Sequence, residues 1–230
     1  MSVRPGCFAA LQDLDLDNNQ FTDWTSLNSL HTINTLISLR LNYNKLKSVD
    51  IEDDQFKNLT SLQLSHNLLD EWKQVGKLNK LKLKELRLRY NPVLDREGES
   101  TARSMIIAVV GSISILNGTE ITKEERNWSE LDYYKKYGLE YLGIKKLPDS
   151  QQSDALKVFK ENHLRYLDIV NKFGEPEEGE LVVKENNIKS SLVSVKLRCP
   201  DVPGTADTAK KLPASMTVAK LKALVGRLYK

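Results

Sequence analysis

Residues 83–93 read "LKELRLRYNPV": leucines at alternate positions, two arginines between them, then an asparagine and a proline. The same leucine and asparagine spacing returns in "LQDLDLDNNQF" (11–21), "LISLRLNYNKL" (36–46) and "LTSLQLSHNLL" (59–69). The shared pattern LxxLxLxxN puts its asparagine at Asn19, Asn44, Asn67 and Asn91, at intervals of 25, 23 and 24 residues. Those periods fall within the range of leucine-rich repeats. Alternating leucines such as Leu86 and Leu88 turn one face of a short strand into a core and leave the residues between them outside. The asparagine then bends the chain, because its amide can hydrogen-bond the main-chain groups that the bend opens. One unit cannot bury its own apolar face, so neighbouring units must stack into a curved solenoid.

Phe21 with Trp24, and Leu69 with Trp72, repeat a second spacing just after the asparagine column. Bulky apolar groups at recurring positions are read as packing between units. The outward strand positions carry the functional information. They read Asp13, Asp15 and Asp17; then Ser38, Arg40 and Asn42; then Ser61, Gln63 and Ser65; then Glu85, Arg87 and Arg89. The face therefore runs from acidic to basic. Beside the asparagines a further column reads Asn18, Tyr43, His66 and Tyr90, adding flat amphipathic groups of the kind favoured at interfaces. Arg40, Asn42, Tyr43, Gln63, His66, Arg87, Arg89 and Tyr90 are the candidate partner-binding residues. Lys80, Lys82 and Lys84 sit near the basic end and could extend it.

The totals restrict the function classes. In 230 residues, 34 basic and 31 acidic side chains leave a formal charge of +3, too small to attract nucleic acid or membrane by itself. No run of about 18 apolar residues is available to span a bilayer, and "MSVRPGCFAALQDL" lacks the apolar stretch of a secretory signal. A cytosolic chain is expected. Cys7 and Cys199 form neither a zinc spacing nor a disulfide framework, so free thiols are expected. His31, His66 and His163 have no nucleophile or ligand at useful spacing, and there is no nucleotide-binding glycine loop, zincin helix or nucleophile elbow. The sequence predicts no enzyme, no metal and no cofactor.

After "YNPVLDREGESTARSMIIAVVGSISILNGTEI" (90–121) the regular spacing stops. Ser100 to Val110 suits a short helix with Ala102 and Ile106 on one side, and "SILNGTEI" reads as a last half-strand and turn. Together they make a C-terminal cap that shields the last unit. "TKEE" from Thr122 offers a capping box for a charged helix through "RNWSELDYYKKYG", and "DALKVFKENHLRYLDIVNKFGEPEEGE" continues with helical spacing. The expected organisation is repeats with cap over 8–121, a helical extension over 122–173, a linker over 174–190, and a last region over 191–230. That last region begins with the alternating "LVSVKLR", reaches a second short strand ending near "KKLP", and closes with the helical pattern of "SMTVAKLKALVGRLYK". Strand, strand, helix resembles the first half of a ubiquitin-like (β-grasp) fold. The fold class is therefore α/β: a leucine-rich repeat solenoid with C-terminal cap, helical segment and partial ubiquitin-like region.

From residue 90 onward the chain closely resembles tubulin-specific chaperone E, also called tubulin-folding cofactor E. The segments that carry the resemblance are "STARSMIIA", "EERNWSELDYYKKYG", "HLRYLDIVNKFGEPE" and "KLPASMTVAKLKALVGRLYK". The resemblance implies a cytoplasmic, cytoskeleton-associated chaperone that binds alpha-tubulin and works with other tubulin-folding cofactors to assemble or take apart the alpha/beta heterodimer. The family's layout of CAP-Gly domain, leucine-rich repeats and ubiquitin-like domain is met only in part. No CAP-Gly glycine motif is present, and the ubiquitin-like pattern stops after its first helix. The array also starts without an N-terminal cap, which is expected to leave an apolar edge near Cys7 and Phe8.

Two other readings compete. N-x-S/T matches at Asn58, Asn117 and Asn127 suggest an extracellular receptor, against which stand the lack of a signal and of cysteine-paired caps. The basic end from Lys80 to Arg89 suggests a leucine-rich repeat interaction scaffold in nuclear or RNA processing. Nucleic-acid sites need a broad basic field, whereas this face begins with three aspartates. No nucleic acid and no membrane are expected as partners.

Overall fold

A computed structural model describes residues 8–181, the strands 192–197 and 208–213, and Val218, Leu221, Lys222, Val225 and Gly226. The chain divides into two compact units, Met1–Leu181 and Val182–Lys230. Cys7 and Cys199, and most of the expected C-terminal helix, lie outside the described residues.

In the first unit each repeat contributes one three-residue strand to a parallel sheet: β1 Asp13–Asp15, β2 Ser38–Arg40, β3 Ser61–Gln63 and β4 Glu85–Arg87. The register is strict, with Leu14, Leu39, Leu62 and Leu86 aligned in one row that continues to Leu116. From Leu39 onward these leucines are fully buried, as are Leu41, Leu64 and Leu88 in the next inward row. Each contributes roughly 1.5–3 kcal/mol of apolar burial. Parallel strands need a crossover, and the units supply it differently. A 3₁₀ segment, Thr25–Thr32, leads to β2, and helix α1 (Trp72–Lys77) leads to β4. Trp24 is fully buried at the start of the first of these, edge-on to Phe56. At the opening edge Leu11, Leu14 and Leu16 are only partly covered and Phe8 is 59% exposed.

The asparagine column joins the units. Asn44 donates through Nδ2 to Leu16 O (3.0 Å) in the unit before and to Leu41 O (3.1 Å) in its own, while its Oδ1 accepts from Phe21 N (3.2 Å). Asn67 repeats this on Leu41 O, Leu64 O and Leu46 N, and Asn91 on Leu64 O, Leu88 O and Leu69 N. Each shared leucine carbonyl thus receives two amides. Asn44, Asn67 and Asn91 are buried, whereas Asn19 is exposed and bonds only within its own turn.

Beyond β4, helix α2 (Pro92–Asp95) starts with proline in its first turn, where a missing N–H costs nothing, and helix α3 (Glu99–Val109) buries Ala102, Met105 and Ile106. Strands β5 (Ile115–Leu116) and β6 (Thr119–Glu120) form an antiparallel hairpin over Asn117-Gly118. Both turn residues have positive φ, 54° and 83°, as a two-residue hairpin of this hand requires. The antiparallel partner ends the parallel array, and Asn117 Oδ1 accepts from Leu88 N (2.9 Å) as a last rung.

Helix α4 (Lys123–Lys145) opens with the capping box: Thr122 Oγ1 accepts from Glu125 N (3.1 Å). The Glu125 carboxylate takes both Arg103 Nε (2.6 Å) and Nη2 (3.0 Å), tying α4 to α3. Helices α5 (Asp149–Asn162) and α6 (Tyr166–Phe173) fold back on α4, and the short α7 (Glu178–Leu181) lays Leu181 over Gly138. A Cβ at Gly138 would come within 2.5 Å of that leucine, so the glycine sets the approach. Buried Glu130 receives Arg165 and, at 2.7 Å, Lys172. Burial raises its carboxyl, but these two donors overrule burial and leave it below the usual range. Arg165 also caps Ala108 O (2.6 Å) and Arg126 caps Ile107 O (3.2 Å), placing two cations at the negative end of α3. Tyr133, Tyr137 and Phe159 pack around the His163 ring, whose Nδ1 lies 2.9 Å from Tyr133 Oη.

In the second unit β7 (Leu192–Leu197) and β8 (Thr208–Pro213) pair antiparallel, Leu192 opposite Pro213 and Leu197 opposite Thr208. The described positions from Val218 to Gly226 are helical.

Two stability predictions follow from this frame. Asn67→Ala leaves the buried Leu46 N–H without a partner and takes one of the two amides from each of Leu41 O and Leu64 O, and should cost about 2 kcal/mol in urea unfolding, whereas Asn19→Ala should cost less than half of that. An equal cost at both positions would contradict the ladder. Burial pushes the His163 ring down to about 4 from its ordinary 6.5, so the native state keeps it neutral while the unfolded chain takes up a proton. Stability should therefore fall as pH drops from 6.5 toward 4, with Glu130 adding its own loss only at lower pH. His163→Gln should flatten the upper part of that decline. An unchanged slope would show that the ring is not held neutral.

Candidate functional site

The residue before each ladder asparagine has a left-handed backbone: φ is 56° at Asn18, 56° at Tyr43, 57° at His66 and 58° at Tyr90. Side chains other than glycine pay roughly 1–2 kcal/mol for this conformation. The turn sends the asparagine inward and the preceding side chain out. Main-chain bonds keep the column in register, with Tyr43 N on Ser65 O (3.0 Å) and His66 N on Arg89 O (2.9 Å). Neighbouring strands lie about 4.7–4.9 Å apart, so flat side chains at equivalent positions come within stacking range. Tyr43 and His66 stack at 4.2 Å and 11°, and His66 and Tyr90 at 4.2 Å and 22°. The tyrosines at the two ends remain 54% and 63% exposed.

On the strand face, register aligns Asp15, Arg40, Gln63 and Arg87. Arg40 Nη1 reaches Asp15 Oδ2 (3.3 Å), and Arg87 Nε reaches Glu85 Oε1 (3.2 Å). Both pairs are open to solvent, Glu85 less so than the rest, and worth at most about 1 kcal/mol. The next row is a closed polar chain. Asp17 accepts from Asn42 N (2.6 Å) and Nδ2 (3.0 Å), Asn42 Nδ2 also reaches Gln63 Oε1 (3.0 Å), and Asn42 Oδ1 accepts from Ser65 N (3.0 Å).

The eight sequence-predicted residues thus share one continuous face of β2–β4 and its turns, in unequal states. Asn42 is buried and fully bonded, and Gln63 is its half-buried partner. Arg40 and Arg87 are exposed but paired. Arg89 is exposed and, among the described residues, has no ion-pair partner, and it adjoins the Tyr43–His66–Tyr90 stack. Lys80 faces another way, on the connection to β4, where it pairs with Asp53 (3.0 Å). At the acidic end Asp15 is paired with Arg40 and Asp17 is hydrogen-bonded to Asn42, and the basic end reduces to Arg89 with Lys82 and Lys84. A groove of about 700 Å³ opens beside Tyr90, between the end of β4, α2, α3 and the β5–β6 hairpin. Sequence spacing carries no sign of it, because it forms where the repeat gives way to the cap. Among the described residues no group of three or more His, Cys, Asp or Glu side chains could hold a metal, and no helix is long and apolar enough to cross a membrane.

The resemblance read from the sequence is borne out. The chain is 34% identical to tubulin-specific chaperone E of Xenopus laevis over 226 residues, 94% of this chain. It is 35% identical to the Danio rerio chaperone over 230 residues, 96% of this chain, and 30% identical to tubulin-folding cofactor E of Arabidopsis thaliana over 240 residues, 97% of this chain. The chain spans only 43–44% of the length of these relatives. No protein-family model matches it. Among solved structures, a chain of the Drosophila melanogaster SNF/U2A' complex superposes over 59% of this chain and 75% of its own with a TM-score of 0.49 at 22% identity. The leucine-rich repeat arrangement stands on the strand register and asparagine ladder described above.

Each stacked ring pair should contribute about 0.5–1.5 kcal/mol. His66→Ala removes both contacts and should lower unfolding free energy by about that much per pair, whereas His66→Phe keeps them and should cost little. Equal losses in the two variants would show that the stack contributes nothing.

Proposed function

We propose that this chain is the capture platform of a tubulin-folding cofactor: a non-enzymatic surface that holds alpha-tubulin and assists assembly or disassembly of the alpha/beta-tubulin heterodimer. Its setting would be cytoplasmic and cytoskeleton-associated, and other tubulin-folding cofactors would act with it. One observation carries the reading. A chain similar over most of its length to proteins named tubulin-specific chaperone E presents an exposed aromatic stack with an arginine beside it that has no ion-pair partner among the described residues.

The chemistry supports capture of a protein rather than catalysis. Tyrosine and arginine are the side chains that dominate binding energy at interfaces, since they bury large area and direct their polar ends. The stack fixes the rings of Tyr43 and Tyr90 before contact, so little rotamer freedom is lost on binding. Arg89 can grip a carboxylate with two parallel N–H donors, whereas Arg87 must first leave Glu85. Arg40 and Gln63 fill out the rim, and Asn42 acts from below by holding Asp17 and Gln63 in place. Within this proposal residues 8–121 form the repeat platform with its cap, 122–173 the helical extension that braces it, and 174–190 the connection onward. Residues 191–230 would be a partial ubiquitin-like module contributing further contacts. The β7–β8 hairpin and the helical positions after it support that assignment.

Purified chain should bind alpha/beta-tubulin, and Arg89→Glu should weaken that binding by about tenfold, or 1.4 kcal/mol, with native circular dichroism. Arg87→Glu should have a smaller effect, because its guanidinium is already engaged. Unchanged affinity in Arg89→Glu would remove this face from the contact.

A further inference from the structure

The groove beside Tyr90 has a chemistry of its own. Leu94 and Ile106 supply an apolar floor. From the strand side Arg89, exposed and without an ion-pair partner among the described residues, joins the lining. On the helix side stand the carboxylates of Asp95 and Glu99, both exposed and, among the described residues, without ion-pair partners. The other charges here are spent: Glu97 takes Lys136 at 3.5 Å, and Arg103 is held by both oxygens of Glu125. The lining thus offers a cation from the strand and two carboxylates from the helices, together with the apolar Leu94 and Ile106. Tyr90 forms the wall shared with the aromatic stack.

We propose that this groove is a peptide subsite for an extended segment that carries an acidic residue, an aliphatic residue and a basic residue on one side of its backbone. In an extended chain every second side chain points the same way, with about 6.6–6.8 Å between them. An acidic-x-aliphatic-x-basic segment therefore sets its carboxylate on Arg89, its aliphatic group on Leu94 and Ile106, and its cation on Asp95 and Glu99. Charge complementarity selects this occupant over a wholly acidic segment, which the two carboxylates repel, and over a wholly basic one, which Arg89 repels. The inference rests on the strand face being a capture surface, and specifies the kind of segment that the adjoining partner presents.

The test is a titration of the isotope-labelled chain, followed by amide resonances, with three synthetic peptides: Ac-Glu-Ser-Leu-Ser-Lys-NH₂, Ac-Glu-Ser-Leu-Ser-Glu-NH₂ and Ac-Lys-Ser-Leu-Ser-Lys-NH₂. The first should shift the resonances of Arg89, Tyr90 and Leu94 and bind about fivefold more tightly than either of the others. Arg89→Glu should remove that preference. Thr119→Trp, a change at an exposed position on the groove wall, should abolish binding while the remaining spectrum stays native. Equal affinity for the three peptides, shifts confined to other surfaces, or no binding at millimolar peptide would each overturn the subsite. Tubulin binding measured on the same variants separates the two ideas. Loss of peptide without loss of tubulin upholds the groove and detaches it from tubulin capture. Intact peptide selectivity with no tubulin binding by the unmodified chain overturns only the capture reading.

Discussion

The amide side chains of Asn44, Asn67 and Asn91 are the constraint on which the rest of the structure depends. Each spans two repeats, donating to leucine carbonyls on both sides and accepting a main-chain N–H from the unit before. An unpaired main-chain group in a buried turn is expensive, and a solenoid makes such turns at every repeat. The asparagine removes that cost and fixes the stacking distance in the same step. The leucine rows then align because the turns do, and the outward side chains fall into columns.

The aromatic stack is a consequence of that columnar order. Left-handed backbone at Tyr43, His66 and Tyr90 is required for the following asparagine to point inward. The strand repeat then brings the three rings within stacking range. Backbone strain and ring contact are of similar size, so the arrangement has little net effect on stability. What it produces is a stacked, half-exposed aromatic surface next to Arg89, the surface proposed above for partner capture. The cap and α4 hold this end in place through Arg103–Glu125 and the Glu130 cluster, so the groove and the stack rest on a braced scaffold.

The repeat was legible in the sequence because period and leucine alternation are direct images of the strand register, and the aromatic column was legible for the same reason. The state of each polar side chain was not. Asn42 has the same alternation as Arg40, yet its short amide bonds Asp17, Gln63 and Ser65 and stays buried, whereas the longer Arg40 reaches out to Asp15. Pairing within the face depends on lateral neighbours some 21–25 residues away, which periodicity aligns but does not weigh. The groove beside Tyr90 and the burial of Glu130 escaped for a related reason: the groove forms where β4 gives way to α2, α3 and the β5–β6 hairpin, and Glu130 is buried where α4 meets α6, both outside the repeating pattern.

Hydrogen–deuterium exchange of the chain with and without alpha/beta-tubulin tests the central claim most directly, because it locates the contact without altering a residue. The account predicts slower exchange in segments 38–44, 61–67 and 85–91 on tubulin addition, with the outer face of α4 unchanged. Binding that protects only the α4–α6 helices or residues beyond 181, with those three segments unaffected, would contradict it.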